Sequence, residues 1–337
     1  MATHQFDRKS TNLTVFDLGV QDSERSAAAA LAARTTTNPN LTDYTTTWTV
    51  RGAPHLHRPT DMPTLATRLW PLSDADALTR MSRPRGITNG RAALTAVATA
   101  LRKVVTKPMT KGEASNKITS MIPTELTAWC RGCNTTHVQD PIFRLAALPA
   151  GLIFDTTQKT VTFTPLPKRP AVPTETKGFT DLLLAYLTLH GPAGPTEVAN
   201  YFGSTTTEIK KRWPQDLAEV KVDGKQAWLP PTRLNTLNNP PDPNAVRLLP
   251  PLDPYLQARD RDLLVPDKDH QKEVWRILGR RGAIMVDGEI TGTWQAKATA
   301  KHLEITLNPF AEPPPPSIEA EAHHLATTRN LDSARLK

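Results

Sequence analysis

Apolar positions fall into a repeating order along this chain. Between Arg91 and Val104, the residues Leu94, Val97, Leu101 and Val104 recur at three- and four-residue intervals, predicting a helix with Arg102 and Lys103 on its outer side. Lys107-Pro108 marks a turn, a second helix is expected from about Lys111 to Met121, and Pro123-Thr124-Glu125 opens a third. Gly151–Phe154 and Thr160–Phe163 then read as the strands of a hairpin across 155–159. Helices followed by a hairpin are the order of a winged helix.

The order returns between Phe179 and Pro230. Leu182-Leu183-Leu184-Ala185-Tyr186-Leu187 forms an apolar helix, Pro195 starts the next, and Thr205-x-x-Glu208 is a capping-box pattern for a third. That third helix places Ile209 and Trp213 on one side with Lys210, Lys211 and Arg212 beside them, as a recognition helix requires. Val220–Val222 and Gln226–Leu229 flank Asp223-Gly224, a dipeptide that favours the two-residue hairpin turn of a wing.

Outside these two stretches the pattern is less regular. Ser26–Arg34 is Ala-rich and helix-prone, Thr45–Val50 reads as a strand, and Asp61–Leu69 as a helix with Leu65 and Leu69 four apart. Pro230-Pro231 and Asn238–Pro243 are stiff connectors. Beyond them come a strand at Val246–Leu249, a helix from about Lys268 to Leu278, and strands at Ala283–Val286, Glu289–Trp294 and His302–Leu307, with Asp287-Gly288 as a tight hairpin. Pro313–Pro316 ends this part, and the tail beyond is expected to be helical or loose. The reading is an α+β protein of tandem winged-helix units with a C-terminal β-rich unit. The expected divisions are an N-terminal unit over 1–90, winged helices over 91–170 and 174–232, the β-rich unit over 245–312, and a tail over 313–337.

Charge narrows the function classes. Among 337 residues, 41 Lys and Arg stand against 33 Asp and Glu, and a net charge of +8 favours a polyanionic partner because basic surfaces release counterions from phosphate backbones. No apolar run approaches the ~18 residues of a spanning helix, and the first ten residues contain no secretory apolar core, so a cytoplasmic protein with no membrane contact is expected. The two cysteines, Cys130 and Cys133, are too few for a disulfide framework. A basic metabolic enzyme would need a nucleotide, metal or nucleophile motif, and the sequence offers none.

Five strings lie in order along the chain: Leu18-Gly19-Val20-Gln21, Thr47-Trp48-Thr49-Val50-Arg51-Gly52-Ala53-Pro54-His55-Leu56, Phe143-Arg144-Leu145-Ala146-Ala147-Leu148-Pro149-Ala150-Gly151, Leu248-Leu249-Pro250-Pro251-Leu252-Asp253-Pro254-Tyr255, and Val286-Asp287-Gly288-Glu289-Ile290-Thr291-Gly292-Thr293-Trp294. Together they resemble a bacterial winged-helix DNA-binding family that includes the AlkZ-like DNA glycosylases, which confer resistance to the crosslinking antibiotic azinomycin, and relatives that unhook interstrand crosslinks. The resemblance implies tandem winged helices around a concave surface for double-stranded DNA, a C-terminal β-unit, and DNA repair by excision of alkylated or crosslinked purines. It implies no cofactor. Relatives carry an additional basic helix ahead of the first motif, so a truncated start or a mis-called initiator is an expectation here. Their catalytic signature is Gln-x-Gln, or Gln-x-Asp in the crosslink branch, and the matching positions here are Gln21-Asp22-Ser23: the first Gln is kept and the third position departs.

Cleaving an N-glycosidic bond requires a water held beneath a sugar carbon that is becoming cationic, while an alkylated purine leaves readily. Amide oxygens can orient that water by accepting its hydrogens, and Gln21 could supply one. Ser23 could hold a water through its hydroxyl, and Asp22 could serve as base or electrostatic partner if it faces the cleft, although one-residue spacing in an extended segment tells against its sharing a face with Gln21. Taken without the resemblance, Gln21 and Ser23 read more simply as caps of the Ala-rich helix. With Ser23 in place of an amide, a non-catalytic DNA-binding protein, such as a regulator or damage sensor, is the alternative.

For DNA contact the candidates are Arg51 and His55 in a Gly/Pro-containing turn, Lys210, Lys211 and Arg212 on the third helix, and Lys221 and Lys225 beside the wing turn. An ordinary salt bridge for Arg51 and simple solubility for the lysines compete with this reading. Cys130-x-x-Cys133-x-x-x-His137 invites a zinc reading, but a fourth ligand is missing nearby, and spacings of three and four also place these residues on one helical face. A reduced packing cluster, with no metal, is expected. Trp275 and Trp294 lie in apolar patterns and are expected in the core. Nothing in the sequence fixes an oligomeric state.

Overall fold

The computed structural model describes residues 2–84, 86–156 and 158–337. It confirms an α+β architecture. The first winged helix is built from helices Gly90–Val104, Lys111–Thr119 and Asp140–Ala147, and a three-stranded sheet in the order Met109–Thr110, Thr162–Pro165, Leu152–Phe154. Leu94, Val97 and Leu101 are buried as their spacing requires, and Thr110 closes a complete capping box with Glu113.

The helix expected from Pro123 is absent. A single tight turn at Thr124–Leu126 leads instead into an antiparallel hairpin, Thr127–Cys130 with Thr135–Val138, and the third helix begins only at Asp140. Thr127, Trp129, Thr135, Thr136 and Val138 are β-branched or aromatic, and Gly132 and Asn134 (φ 49°) turn the chain between them, so local preference there favours strands.

The second winged helix comprises helices Phe179–His190, Pro195–Phe202 and Thr206–Lys210, followed by the wing Ala218–Val222 and Lys225–Leu229. Asp223 (φ 50°) and Gly224 (φ 77°) make the expected turn. Thr205 Oγ1 accepts the Glu208 amide hydrogen at 3.2 Å, but the Glu208 carboxylate pairs with Lys211 and Arg212 and does not return to complete the capping box.

The N-terminal stretch packs onto both winged helices. Strands Val20–Gln21, Pro54–His57 and Thr45–Trp48 form one small sheet with Pro54–His57 in the middle. Trp48 enters the first core, its ring 5.0 Å from that of Phe154 and 5.4 Å from that of Phe163, whereas Val50 and Leu56 enter the second beside Leu182 and Phe202. The string from Thr47 to Leu56 is therefore the bridge between the two units.

In the C-terminal part a five-stranded sheet runs in the order Val246–Leu249, Gly282–Val286, Glu289–Ala298, His302–Pro309, Ser333–Leu336. The tail, expected to be helical or loose, is helical over Ile318–Thr327, which covers one face of the sheet, and then ends in a strand, Ser333–Leu336, that returns parallel to His302–Pro309. The helix expected over 268–278 stops at Val274. Trp294 is in the core as expected, its Nε1 donating to the Leu249 carbonyl at 2.9 Å, while Trp275 is half-buried and donates to the Leu256 carbonyl at 3.0 Å. A fully buried ion pair joins this part to the N-terminal helix Ala27–Ala32: Arg34 Nη2 and Nη1 reach Asp253 Oδ1 and Oδ2 at 2.7 and 2.8 Å.

Candidate active site

Gln21 is placed by a close approach of backbone to side chain. Gly19, at φ 82°, lies so near His57 that a Cβ there would sit 2.4 Å from the imidazole Cε1, so this string requires glycine. Val20 and Gln21 then pair with Leu56 and His55, burying Val20 and leaving Gln21 half-buried with its amide at the junction of the parts. Gln21 Nε2 donates to Ser23 Oγ at 2.9 Å, and Gln21 Oε1 accepts from Gln257 Nε2 at 3.1 Å. Arg51 Nη2 donates in turn to Gln257 Oε1 at 3.2 Å. Ser23, Gln21, Gln257 and Arg51 thus form one connected polar chain, with two amides at its centre.

Gln257 and Arg51 are held from outside the polar chain. Asp253, fixed by Arg34, accepts the Tyr255 amide hydrogen at 2.9 Å and opens the turn Pro254–Gln257 that presents Gln257. Arg51, at φ 55° on the crest of the bridge, donates to the carbonyls of Tyr201 and Asn200 at 3.1 and 3.4 Å and stacks over the Tyr201 ring. Gly52 next to it packs against Arg144, which explains why Arg-Gly stands here.

The Gln257–Arg51 end of the polar chain borders an open cleft of about 580 Å³, also lined by Arg259, Arg261, Arg276, Arg280 and Arg281, with Gln21 one hydrogen bond behind it. Six guanidiniums line this hollow; Arg276 and Arg281 pair with Glu273 and Arg280 with Glu24, so the excess of positive charge rests on Arg51, Arg259 and Arg261. On its rim Ile277 and Leu278 are 84% and 83% exposed, between Arg276 and Arg280. Sequence reasoning missed Gln257 and this arginine group; the string Leu248–Tyr255 ends two residues short of Gln257 and gave no sign of its partner.

Several sequence candidates lie elsewhere. Asp22 turns away from the cleft and is buried, accepting from the Ala27 amide at 3.0 Å and from the Thr156 hydroxyl. Burial raises its pKa against those hydrogen bonds. It is Asp22, not Gln21 or Ser23, that satisfies the start of the Ala-rich helix.

His55 is also buried, donates from Nδ1 to the Ala53 carbonyl at 2.9 Å, and is pushed down to about 4 by burial. It is a neutral structural residue at pH 7 and offers no cation to a phosphate. Arg212 is bound to Glu208 and to the Leu72 carbonyl, and Lys211 to Glu208, so of the third-helix cations Lys210 is the one whose ammonium projects freely. Lys221 and Lys225 are exposed on the wing.

Cys130, Cys133 and His137 do come together, but on the hairpin and not on a helical face. The Cys133 backbone amide, with hydrogen bonds from His137 and the Cys133 side chain, lowers the Cys130 thiol to about 7.

Two winged-helix units are closed by a C-terminal sheet, with an amide pair beside a basic cleft. The family model for "DNA glycosylase AlkZ-like" matches residues 18–328, and the chain belongs to the AlkZ-like DNA glycosylases, which are hydrolases. The solved structure of Streptomyces sahachiroi DNA glycosylase AlkZ superimposes with a TM-score of 0.73 at 21% identity, over 99% of this chain and 96% of that one, a likeness of fold. No curated protein sequence matches. Among the described residues no helix is long and apolar enough to cross a membrane.

Proposed function

We propose that this protein hydrolyses the N-glycosidic bond of alkylated or crosslinked purines in duplex DNA, with the attacking water held by Gln21 and Gln257. The observation that carries this reading is the 3.1 Å contact between the two amides at the edge of the arginine-lined cleft. Gln21 Oε1 accepts one hydrogen bond from Gln257 and keeps a second lone pair for a water hydrogen. Ser23 accepts from the Gln21 amide nitrogen and so fixes that side chain's orientation; it is a positioning residue. Gln257, held by Arg51, supplies from the C-terminal part the second amide that the Gln-x-Gln signature would place at position 23. The amide dipoles favour the cationic sugar as the base leaves, and a base that is already positively charged needs little acid to depart.

The duplex lies along the arginine cleft, reached by Arg51 and, from the second winged helix, by Lys210, Lys221 and Lys225. Ile277 and Leu278 are placed to press into the base stack, as apolar wedges do in proteins that distort DNA. Duplexes carrying N7-alkylguanine or N3-alkyladenine, assayed for abasic-site formation, test the reading. Gln21→Ala and Gln257→Ala should each slow excision by roughly a hundredfold or more, the scale of losing one preorganised polar group, while DNA affinity stays near wild type. Wild-type protein that binds these duplexes but releases no base would leave only the DNA-binding function. Full activity in Gln257→Ala would remove Gln257 from the mechanism.

A further inference from the structure

We infer that the hairpin spanning 127–138 carries a zinc site formed by the thiolates of Cys130 and Cys133 and the imidazole of His137. The donors come from three places: the end of one strand, the turn, and the opposing strand. Their ligand atoms all lie within 4.8 Å of one another. Zinc bonds of about 2.3 Å to sulfur and about 2.0 Å to nitrogen hold tetrahedral donors roughly 3.5–3.8 Å apart, so small side-chain rotations close the site.

Backbone geometry makes the convergence specific. His137 stands opposite Ala128 and Thr135 opposite Cys130, so Cys130 and His137 are diagonal neighbours on one face of the hairpin. Asn134, in the left-handed region, folds the turn that carries Cys133 back toward them. His137 Nδ1 donates to the Val138 carbonyl at 2.7 Å, which leaves the lone pair on Nε2, the arrangement a metal-bound imidazole adopts. Two thiolates and an imidazole select zinc over magnesium or calcium.

The base of the hairpin is pinned where the Val138 amide donates to Thr119 Oγ1 at 3.2 Å, but its turn end has little to hold it. Of its eight strand residues only Val138 is buried, and Trp129 is 64% exposed. Two strands with so little apolar burial are marginal in water, and a bridging ion between turn and strand supplies the missing constraint. Asp140, the nearest acid in sequence, is taken by Lys111 Nζ and Arg144 Nε, each at 2.6 Å. The fourth corner therefore falls to water on the exposed side.

Elemental analysis of the intact chain, expressed with added zinc and purified under reductant, is expected to find about one zinc per molecule, falling below about a tenth in Cys133→Ser. Cobalt(II) added to the chelated wild type should give the visible bands of a tetrahedral site with thiolate charge transfer. This titration decides the matter even if the serine variant misfolds. Chelation should speed hydrogen exchange across 127–138 and leave the rest of the protein unchanged. Reduced wild-type protein that takes up neither zinc nor cobalt would overturn the inference. So would a Cys130–Cys133 disulfide in place of bound metal, seen as a loss of two hydrogens in the mass of protein prepared without reductant.

Discussion

Apart from the hairpin Thr127–Val138 inserted in the first, the two winged helices share an order of elements and use it in opposite ways. In the first, the third helix is turned inward: Ile142, Phe143, Ala146 and Ala147 are buried, Arg144 lies over the Trp48 ring, and Lys111 and Arg144 both close on Asp140. In the second, the third helix is a short surface segment with Lys210 projecting, and its wing carries Lys221 and Lys225 into solvent. The first unit has become scaffold, holding the Arg51-Gly52 crest in place, while the second keeps an open cationic surface. Element order identifies the fold of each unit; only the direction in which each third helix faces reveals which one remains free for a ligand.

Acid should separate the two units most strongly. His190 of the second unit and His57 of the strand packed on it are pushed down to about 3, and His55 to about 4, in each case chiefly by burial. The unfolded chain protonates these imidazoles below about pH 6.5 and the folded one does not, so their contribution is present above that pH and lost as pH falls toward 3–4, at roughly 1.4 kcal/mol per pH unit for each. The first unit's single histidine, His137, is only half-buried. Hydrogen exchange followed from pH 7 to pH 4 should show the second unit and the strand Pro54–His57 opening first. Simultaneous opening of the first unit's helices Gly90–Val104 and Asp140–Ala147 would contradict the assignment.

Truncating the inward helix is the next largest effect. Phe143→Ala should cost about 3–5 kcal/mol in chemical denaturation, because its ring packs against Trp48 and Phe163. On the outward surface the order reverses. Replacing Lys210, Lys221 and Lys225 together by Ala should change stability by less than about 1 kcal/mol, yet lower the slope of log affinity against log salt by up to about one unit for each phosphate left without its cation. An unchanged slope would assign the duplex to the arginine cleft alone. Smallest of all, Lys111→Ala should cost about 1 kcal/mol or less, since its pair with Asp140 is only partly shielded from solvent.

Much of this fold was readable from residue order. The turns at Asp223-Gly224 and Asp287-Gly288, the helix periodicity from Leu94 to Leu101, and the bridge string Thr47–Leu56 all announce structure through local chemistry. What escaped reading depends on distance or on ambiguity. Cys130, Cys133 and His137 have intervals that suit a helical face as well as a hairpin, and only the β-branched residues between them break the tie. The tail closes a sheet whose partner strand precedes it by a helix, a pairing no local pattern specifies. Gln21 was visible as a candidate, but Gln257 was not, because the two amides are brought together by the Arg34–Asp253 pair and not by any motif shared between them.

That buried ion pair also bears on when the proposed amide pair can form. Gln257 follows Gln21 by 236 residues, so during synthesis the strand bearing Gln21 emerges, and both winged helices can fold behind it, while the amide pair is still missing. A nascent chain at that stage presents cationic surfaces with no means of placing a water. If Gln21 and Gln257 hold the water as proposed, base release has to wait until Asp253 meets Arg34, and interdomain docking, not the folding of either winged helix, is the step that completes the site.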